Sequence, residues 1–314
     1  MSRRQSDDRR TDPAVEAPQT AVARSRVATR GGPSLGRGLL HLSLILLMVI
    51  WVIPTVALLV ASFRPAAATN TSGWWTAFRP PWEFTLDNYE YVLGRAGIDT
   101  AFVNSFIITI PATVLVVMIA AFAAYAFAWM EFPGRNILFV IVVGLLVVPL
   151  QVTLIPVLNL FRDFTPAGIK INGTMLAVWL AHTGYGLPFA IYLLRNYFGS
   201  LPREVFESAA IDGASPSTSF FRLALPMSVP ALASLIIFQF LWVWNDLLVA
   251  LVYLGGASEN HPLSVVLANL TTSFGGGWQF LTAAAFVSMI VPIIVFLSLQ
   301  RYFVRGITGG AVKG

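Results

Sequence analysis

Glu207-Ser208-Ala209-Ala210-Ile211-Asp212-Gly213-Ala214-Ser215 is the longest polar interruption between apolar runs in the C-terminal half of the chain. Leu223-Ala224-Leu225-Pro226 begins ten residues after Gly213. Just upstream, Ser200 is placed to cap a helix N-terminus, and Pro202 falls in a first turn where a missing amide does no harm. Glu204 and Glu207 suit the positive end of the helix dipole. Val205, Phe206, Ala209 and Ala210 recur at helical spacing and form a narrow apolar face. Ser208, Ala209 and Ala210 are small, so another protein can approach the backbone closely. Gly213 permits a helix C-terminus or a sharp turn. The segment reads as a short rigid helix with an adhesive face, shaped to enter a cleft on a partner. The same amphipathy also suits a helix lying among lipid headgroups.

The rest of the chain places that segment between membrane spans. Of the 314 residues, 56% are hydrophobic and 11% charged, against roughly 25% charged in soluble domains. A run at about 39–62 is too long for a signal-peptide core and suits a first span of about 20 residues. Five more apolar runs follow at about 102–129, 136–160, 174–197, 227–254 and 280–303. Only helices or closed barrels satisfy every backbone amide within a bilayer. These long runs lack strand-like alternation and are predicted to be helices. Pro54, Pro111, Pro149, Pro156, Pro188, Pro230 and Pro292 fall inside them and predict kinked, packed helices rather than simple anchors.

The expected organisation is therefore an all-α integral membrane protein with six transmembrane helices. Residues 1–37 form a polar N-terminal tail, expected to be disordered, and 38–62 the first helix. Residues 63–101 form a long outer loop, and 102–303 a five-helix core interrupted by the polar loop 198–226. Residues 304–314 form a C-terminal tail. Trp74, Trp75, Trp82, Tyr89 and Tyr91 in the outer loop suit either an interfacial anchor or contact with an external partner.

Charge sets the expected orientation. With the N-terminus inside, the outer segments hold only Arg64, Arg79, Arg95, Arg162 and Lys170, and the other fifteen basic residues lie inside. This follows the positive-inside rule and makes both termini, and the loop carrying Glu207, cytoplasmic. The net charge of +5 does not mark a nucleic-acid binder. Eight arginines crowd the first 37 residues, and no basic face with interleaved aromatics appears.

Several chemistries lack their residues. The chain has no cysteine, and His41, His182 and His261 lie far apart in sequence. Lys170 and Lys313 follow Ile169 and Val312, so no phosphate-binding Gly-Lys-Ser/Thr loop exists. ATP hydrolysis would have to come from a partner. An intramembrane enzyme would need clustered titratable groups. An ion-coupled secondary transporter would need coupling-ion sites, yet Asp246 is the one acid well inside an apolar run. An acid at the bilayer centre costs about 2.5–3.5 kcal/mol on insertion scales. Asp246 therefore either faces a cavity or reaches the headgroups. Asn245, Asp246 and Gln151 are candidate translocation-path residues. Asn104, Gln151 and His182 also suit hydrogen bonding between helices.

The order Glu207, Ala209, Asp212-Gly213 and the later Leu225-Pro226 resembles the cytoplasmic coupling loop of permease subunits of bacterial ABC importers. Ser208 replaces that pattern's alanine and preserves small size. Val148-Pro149-Leu150-Gln151-Val152-Thr153-Leu154-Ile155-Pro156, Leu187–Asn196, Trp244-Asn245-Asp246 and the ending Gly306–Gly314 are similar to the second permease of maltose-type sugar importers. The runs 242–251 and 300–305 look most like α-glucoside permeases. The resemblance covers about residues 40–314.

It implies a type I ABC importer permease fold and a chain that is not itself an enzyme. The implied partners are a second homologous permease forming a heterodimer, two copies of an ABC ATPase, and an extracytoplasmic sugar-binding protein, with membrane lipid around them. ATP and Mg would sit on the ATPase, and no cofactor on this chain. Glu207, Ser208, Ala209, Asp212, Gly213 and Ala214 would form the coupling helix seated on the ATPase. Gly310, Ala311, Val312, Lys313 and Gly314 would reach the ATPase dimer. The cargo would be an α-glucoside or another oligosaccharide, with a non-sugar solute as the alternative.

Orientation is directly testable because the chain has no native cysteine. Single cysteines at Thr71 and Asn260 should react with an impermeant maleimide in intact cells, and one at Ser215 should not. Labelling at Ser215 from outside would reverse the topology.

Overall fold

The computed structural model describes residues 35–95, 97–256, 259–270 and 277–309, except the side chains of 35, 95 and 301–309. Most of the N-terminal tail and all of Gly310–Gly314 lie outside the described residues.

By its internal contacts the chain divides after Val52. The described part of the first unit is the start of α1 (Leu35–Ser62), where every side chain from 36 to 52 is exposed. Those exposed side chains are mostly Leu, Ile, Val, Met and Trp, a surface that suits lipid or a partner chain.

The second unit, Ile53–Gly314, opens with an ordered cap on the end of α1. It comprises α2 (Ala66–Thr71), a 3-10 turn at Trp74–Phe78 and α3 (Asp87–Arg95). Arg64, 3% exposed, holds the cap together. Its guanidinium donates to the carbonyls of Ser72 and Gly73 and to the hydroxyls of Ser72 and Thr76. Asn88 donates from its amide to the carbonyls of Ser62 and Arg64. The long loop after α1 is thus a folded structure, and Tyr89 packs against Ser62 and Phe63.

The spans follow. They are α4 (Ile98–Trp129), the bent pair α5 (Arg135–Gly144) and α6 (Leu150–Asp163), and α7 (Met175–Phe198). The polar loop holds α8 (Arg203–Ile211), α9 (Pro216–Ser219), a π turn at Phe220–Ala224 and α10 (Leu225–Met227). Then come α11 (Val229–Trp244), α12 (Leu248–Leu254), α13 (Leu263–Ala268) and α14 (Trp278–Gly309). Among the described residues four helices are long and apolar enough to cross a bilayer alone, and the bent pairs α5–α6 and α9–α11 bring the number to six if each is one span. Among the described residues there is no strand.

The prolines act where the sequence places them, with unequal effect. Pro54, Pro111, Pro156, Pro188 and Pro292 are carried inside helices. Pro149 instead caps α6, and Val148 before it is extended at φ −73°, ψ 116°. The residue before proline disfavours the helical region, and the third span bends by 106° there. A 75° bend at Ser228 separates the α9–α10 segment from α11.

The core is the α4–α7 pair. Ile108, Ala112, Val116, Ala120 and Ala124, at most 2% exposed, form a stripe of period four on α4. Ala177, Val178, Ala181, Ala190 and Leu194 are the buried counterparts on α7. Small side chains let membrane helices approach closely. α11 packs on this pair, and α14 packs on α11. Gly186 of α7 faces the amide of Gln239 on α11, and a β-carbon at 186 would lie 2.8 Å from Gln239 Oε1.

That contact sets a paired test. Gly186→Val overpacks the site and should cost about 1–3 kcal/mol, lowering the thermal stability of the purified protein. Adding Gln239→Ala should restore most of the loss. A Gly186→Val protein as stable as wild type would remove Gly186 from the packing argument.

Candidate functional site

Helix α8 is built onto the ends of the two core helices. Its N-cap is Pro202, and the Ser200 hydroxyl donates to the Tyr197 carbonyl instead. The expected Ser200 cap therefore does not form, because Ser200 closes the end of α7. Phe206 is buried and stacks on Trp129 at the end of α4, with ring centroids 4.0 Å apart and 21° between planes. The Trp129 indole donates to the carbonyl of Phe198, the last residue of α7, at 3.1 Å. One tryptophan thus ties together α4, α7 and α8.

The far end of α8 is equally defined. Ala214 N–H donates to Ala209 O at 2.9 Å, and Gly213 N–H to Ala210 O at 3.0 Å. This pair of bonds is a Schellman cap, whose left-handed residue favours glycine. Gly213 has φ +81°, and a β-carbon there would meet nothing within 4 Å. Its requirement is thus the backbone angle, not a close approach. The next helix, α9, starts three residues later, and its N-cap Ser215 hydroxyl accepts from Thr218 N–H.

The two faces of α8 differ from the expected apolar stripe. Phe206 is spent inside the chain, so it is not offered to a partner. Val205 is 38% exposed and Ile211 86% exposed, with Ser208 exposed between them. Ser208 is an i,i+3 neighbour of both Val205 and Ile211, and Ile211 also follows Glu207 by four residues. Ile211 is an isoleucine held at the tip of a capped helix with no cover from its own chain. Its place beside an acidic residue hid it among polar neighbours in the sequence. Glu207, Asp212 and Gly213 are exposed, and Ala209 and Ala214 half-buried.

The inward side of α8 borders a cleft of about 730 Å³. Arg135, Arg195 and Arg203 line it with Glu131 and Glu207, and Trp129 and Phe206 lie along its wall.

The intramembrane candidates fall in two places. Asn245 and Asp246 occupy the break between α11 and α12, while Gln151 is exposed in the first turn of α6. Asn245 donates to Leu241 O at 2.7 Å. Asp246 accepts from Val249 N–H at 2.9 Å and Ala250 N–H at 3.3 Å, capping α12 with its carboxylate. The hydroxyl of Ser264 bonds its carbonyl. His182, 1% exposed, places Nε2 at 3.7 Å from Asp246 Oδ2, with Trp242 edge-on to its ring at 5.3 Å. Asp246 is thus engaged mainly by backbone amides. The pattern of an acid three residues before the first freed amide was present in Asp246-Leu247-Leu248-Val249. Asn104 donates to the carbonyls of Glu259 and His261 and ties α4 to the segment before α13.

Comparison with known proteins adds to this geometry. Residues 116–309 match the family model described as the binding-protein-dependent transport system inner membrane component. The osmoprotective compounds uptake permease protein GgtD of Synechocystis sp. is 55% identical over 277 residues, covering 87% of this chain and 91% of that protein. The alpha-glucoside transport system permease protein AglG of Rhizobium meliloti is 56% identical over 239 residues, 76% of this chain and 63% of that one. A chain from the crystal structure of a bacterial ABC transporter importing the acidic polysaccharide alginate superposes with a TM-score of 0.72 at 22% identity. The match covers 87% of this chain and all of that one, and establishes a shared fold.

The anchoring of α8 gives an expected outcome. Trp129→Ala removes an aromatic stack and an indole hydrogen bond, about 1–3 kcal/mol together. Amide exchange over 203–211 should quicken while that of α14 stays unchanged. Unaltered exchange in α8 would show that other contacts hold it.

Proposed function

Because the chain belongs to the family of binding-protein-dependent transport system inner membrane components, we propose that it is the permease subunit of an ATP-driven sugar importer. The cargo is an α-glucoside or a related oligosaccharide, carried across the plasma membrane. It is a transport component rather than an enzyme. The observation that carries the reading is α8, a capped helix fixed to the core yet presenting Ile211, Ser208 and Val205 outward. An apolar tip on a rigid stalk is costly in water and suits a cleft on a partner. The ATPase is that partner, with ATP and Mg bound on it.

The proposed assembly pairs this chain with a second homologous permease over two ATPase subunits. An extracytoplasmic binding protein delivers the sugar from the side of α2 and α3. Both termini and α8 are cytoplasmic, as the basic residues favour. Glu207, Ser208, Ala209, Asp212, Gly213 and Ala214 form the coupling element, and Gly310–Gly314 reach the ATPase. The sugar passes near Gln151 and Asn245. Asp246 shapes that region by holding the break between α11 and α12. A second reading, import of a non-sugar solute by the same machinery, is favoured by the osmoprotective-compounds name of the Synechocystis relative.

The experiment is purification of the intact complex, with ATPase activity measured against a panel of α-glucosides and small osmolytes. Sugar stimulation supports the first reading, and stimulation by osmolytes alone supports the second. Within that complex, Ala209→Trp, Glu207→Lys and Gly213→Val should insert normally but lose ATPase retention or stimulated hydrolysis. Gly213→Val forces a β-branched residue into the left-handed region at a cost of roughly 1–2 kcal/mol. Gly213→Asn, which tolerates that region, should retain more activity. Glu83→Lys on the outer loop is the control. The coupling assignment is falsified if the three variants keep a stable complex and full transport.

A further inference from the structure

The cleft of about 730 Å³ beneath α8 has a composition that docking of α8 does not require. Three guanidinium groups from three different elements converge on it. Arg135 opens α5, Arg195 lies in the last turn of α7, and Arg203 opens α8. Arg135 spends one donor on Met130 O, and Arg195 sits 4.7 Å over the Phe139 ring. A guanidinium carries five donors, so both retain several. None of the three forms an ion pair among the described residues, although Glu131 and Glu207 line the same cleft.

We propose that this cleft seats the phosphate of an anionic phospholipid headgroup. Three arginines and two glutamates leave one net positive charge, which matches the single negative charge of a phosphodiester. A polyphosphate would face the two glutamates uncompensated. Planar guanidinium forks suit phosphate oxygens, and basic pockets between membrane helices at the cytoplasmic side bind lipid headgroups.

Lipid rather than free phosphate follows from what adjoins Arg135. Directly after it, α5 presents Ile137 at 69% and Val140 at 68% exposure, an apolar track along which acyl chains can lie. Val205 and Ile211 do not line the cleft, whereas Glu207 and Ala214 border it, so a docked partner would share only the α8 rim of the cleft. A bound phosphate would bridge α5, α7 and α8 and fix the coupling helix to the core. The inference rests on the proposed reading only in placing α8 at the membrane surface. It does not depend on the cargo.

The test uses the whole importer complex in nanodiscs of phosphatidylcholine, with or without phosphatidylglycerol. Bound lipid is measured by native mass spectrometry, and α8 mobility by amide exchange over 203–211. Wild type should retain phosphatidylglycerol and show slower α8 exchange in its presence. Arg203→Gln, and the pair Arg135→Gln with Arg195→Gln, should weaken retention roughly fivefold per arginine. Arg79→Gln on the outer loop should not. If the pair fails to assemble, Arg203→Gln alone, at an exposed position, decides the matter. Equal retention by Arg203→Gln and wild type overturns the proposal. So does protection of α8 by inorganic phosphate in phosphatidylcholine alone, which would assign the cleft to a free anion. Neither readout needs sugar or ATP turnover, so loss of the sugar reading leaves the result interpretable.

Discussion

The close approach of α4 and α7 is the constraint on which the rest of the structure depends. In a bilayer, apolar burial does little to drive one helix onto another, because lipid tails are as apolar as leucine. Packing must supply the association, and the period-four stripe Ile108, Ala112, Val116, Ala120 and Ala124 lets the two backbones come together over several turns. Both ends of that seam are then used. At one end, Asn104 and Ser105 bond the backbone around 259–263. At the other, Trp129 and Phe198 hold α8.

This arrangement bears on how force could cross the membrane. α8 does not hang on a flexible loop. It is stacked on one core helix, bonded through the same indole to the end of the other, and closed by a Schellman cap. A displacement applied at Ile211 therefore reaches α4 and α7 as a push on packed rings. The bends at Val148 and Ser228 are the places where the chain already departs from straight helices.

Much of this was legible in the sequence. Hydrophobic run length places five of the spans within a few residues, but the run expected at 227–254 is divided, with Pro216–Met227 joining Val229–Trp244 as a bent pair and Leu248–Leu254 a separate helix. The Gly213 position foretells a left-handed cap because few other residues accept that angle. What was not legible depends on tertiary contact. Phe206 and Ile211 are both apolar on one short helix, and only the position of Trp129 decides which is buried. Ser200 could cap α8 or close α7, and both satisfy a hydroxyl. Seven prolines announce kinks, yet Pro149 bends its span sharply while Pro111 sits inside an unbroken helix. The Trp179 indole takes up the Ile107 carbonyl that Pro111 frees, whereas Val148 before Pro149 leaves the helical region altogether, and no local pattern records which outcome each proline takes.

Asp246 shows how one charge in an apolar run can be explained by secondary structure before function is invoked. A carboxylate in hydrocarbon is costly unless something answers it. Here the freed amides of Val249 and Ala250 answer it, with the ring of His182 beside it. The positive end of a helix favours a negative charge, so the acid and the break in the span stabilise each other. Without the break the acid would lack its amides, and without the acid α12 would begin with unpaired donors in the membrane. An exposed polar neighbour, Asn245, is the by-product of that break.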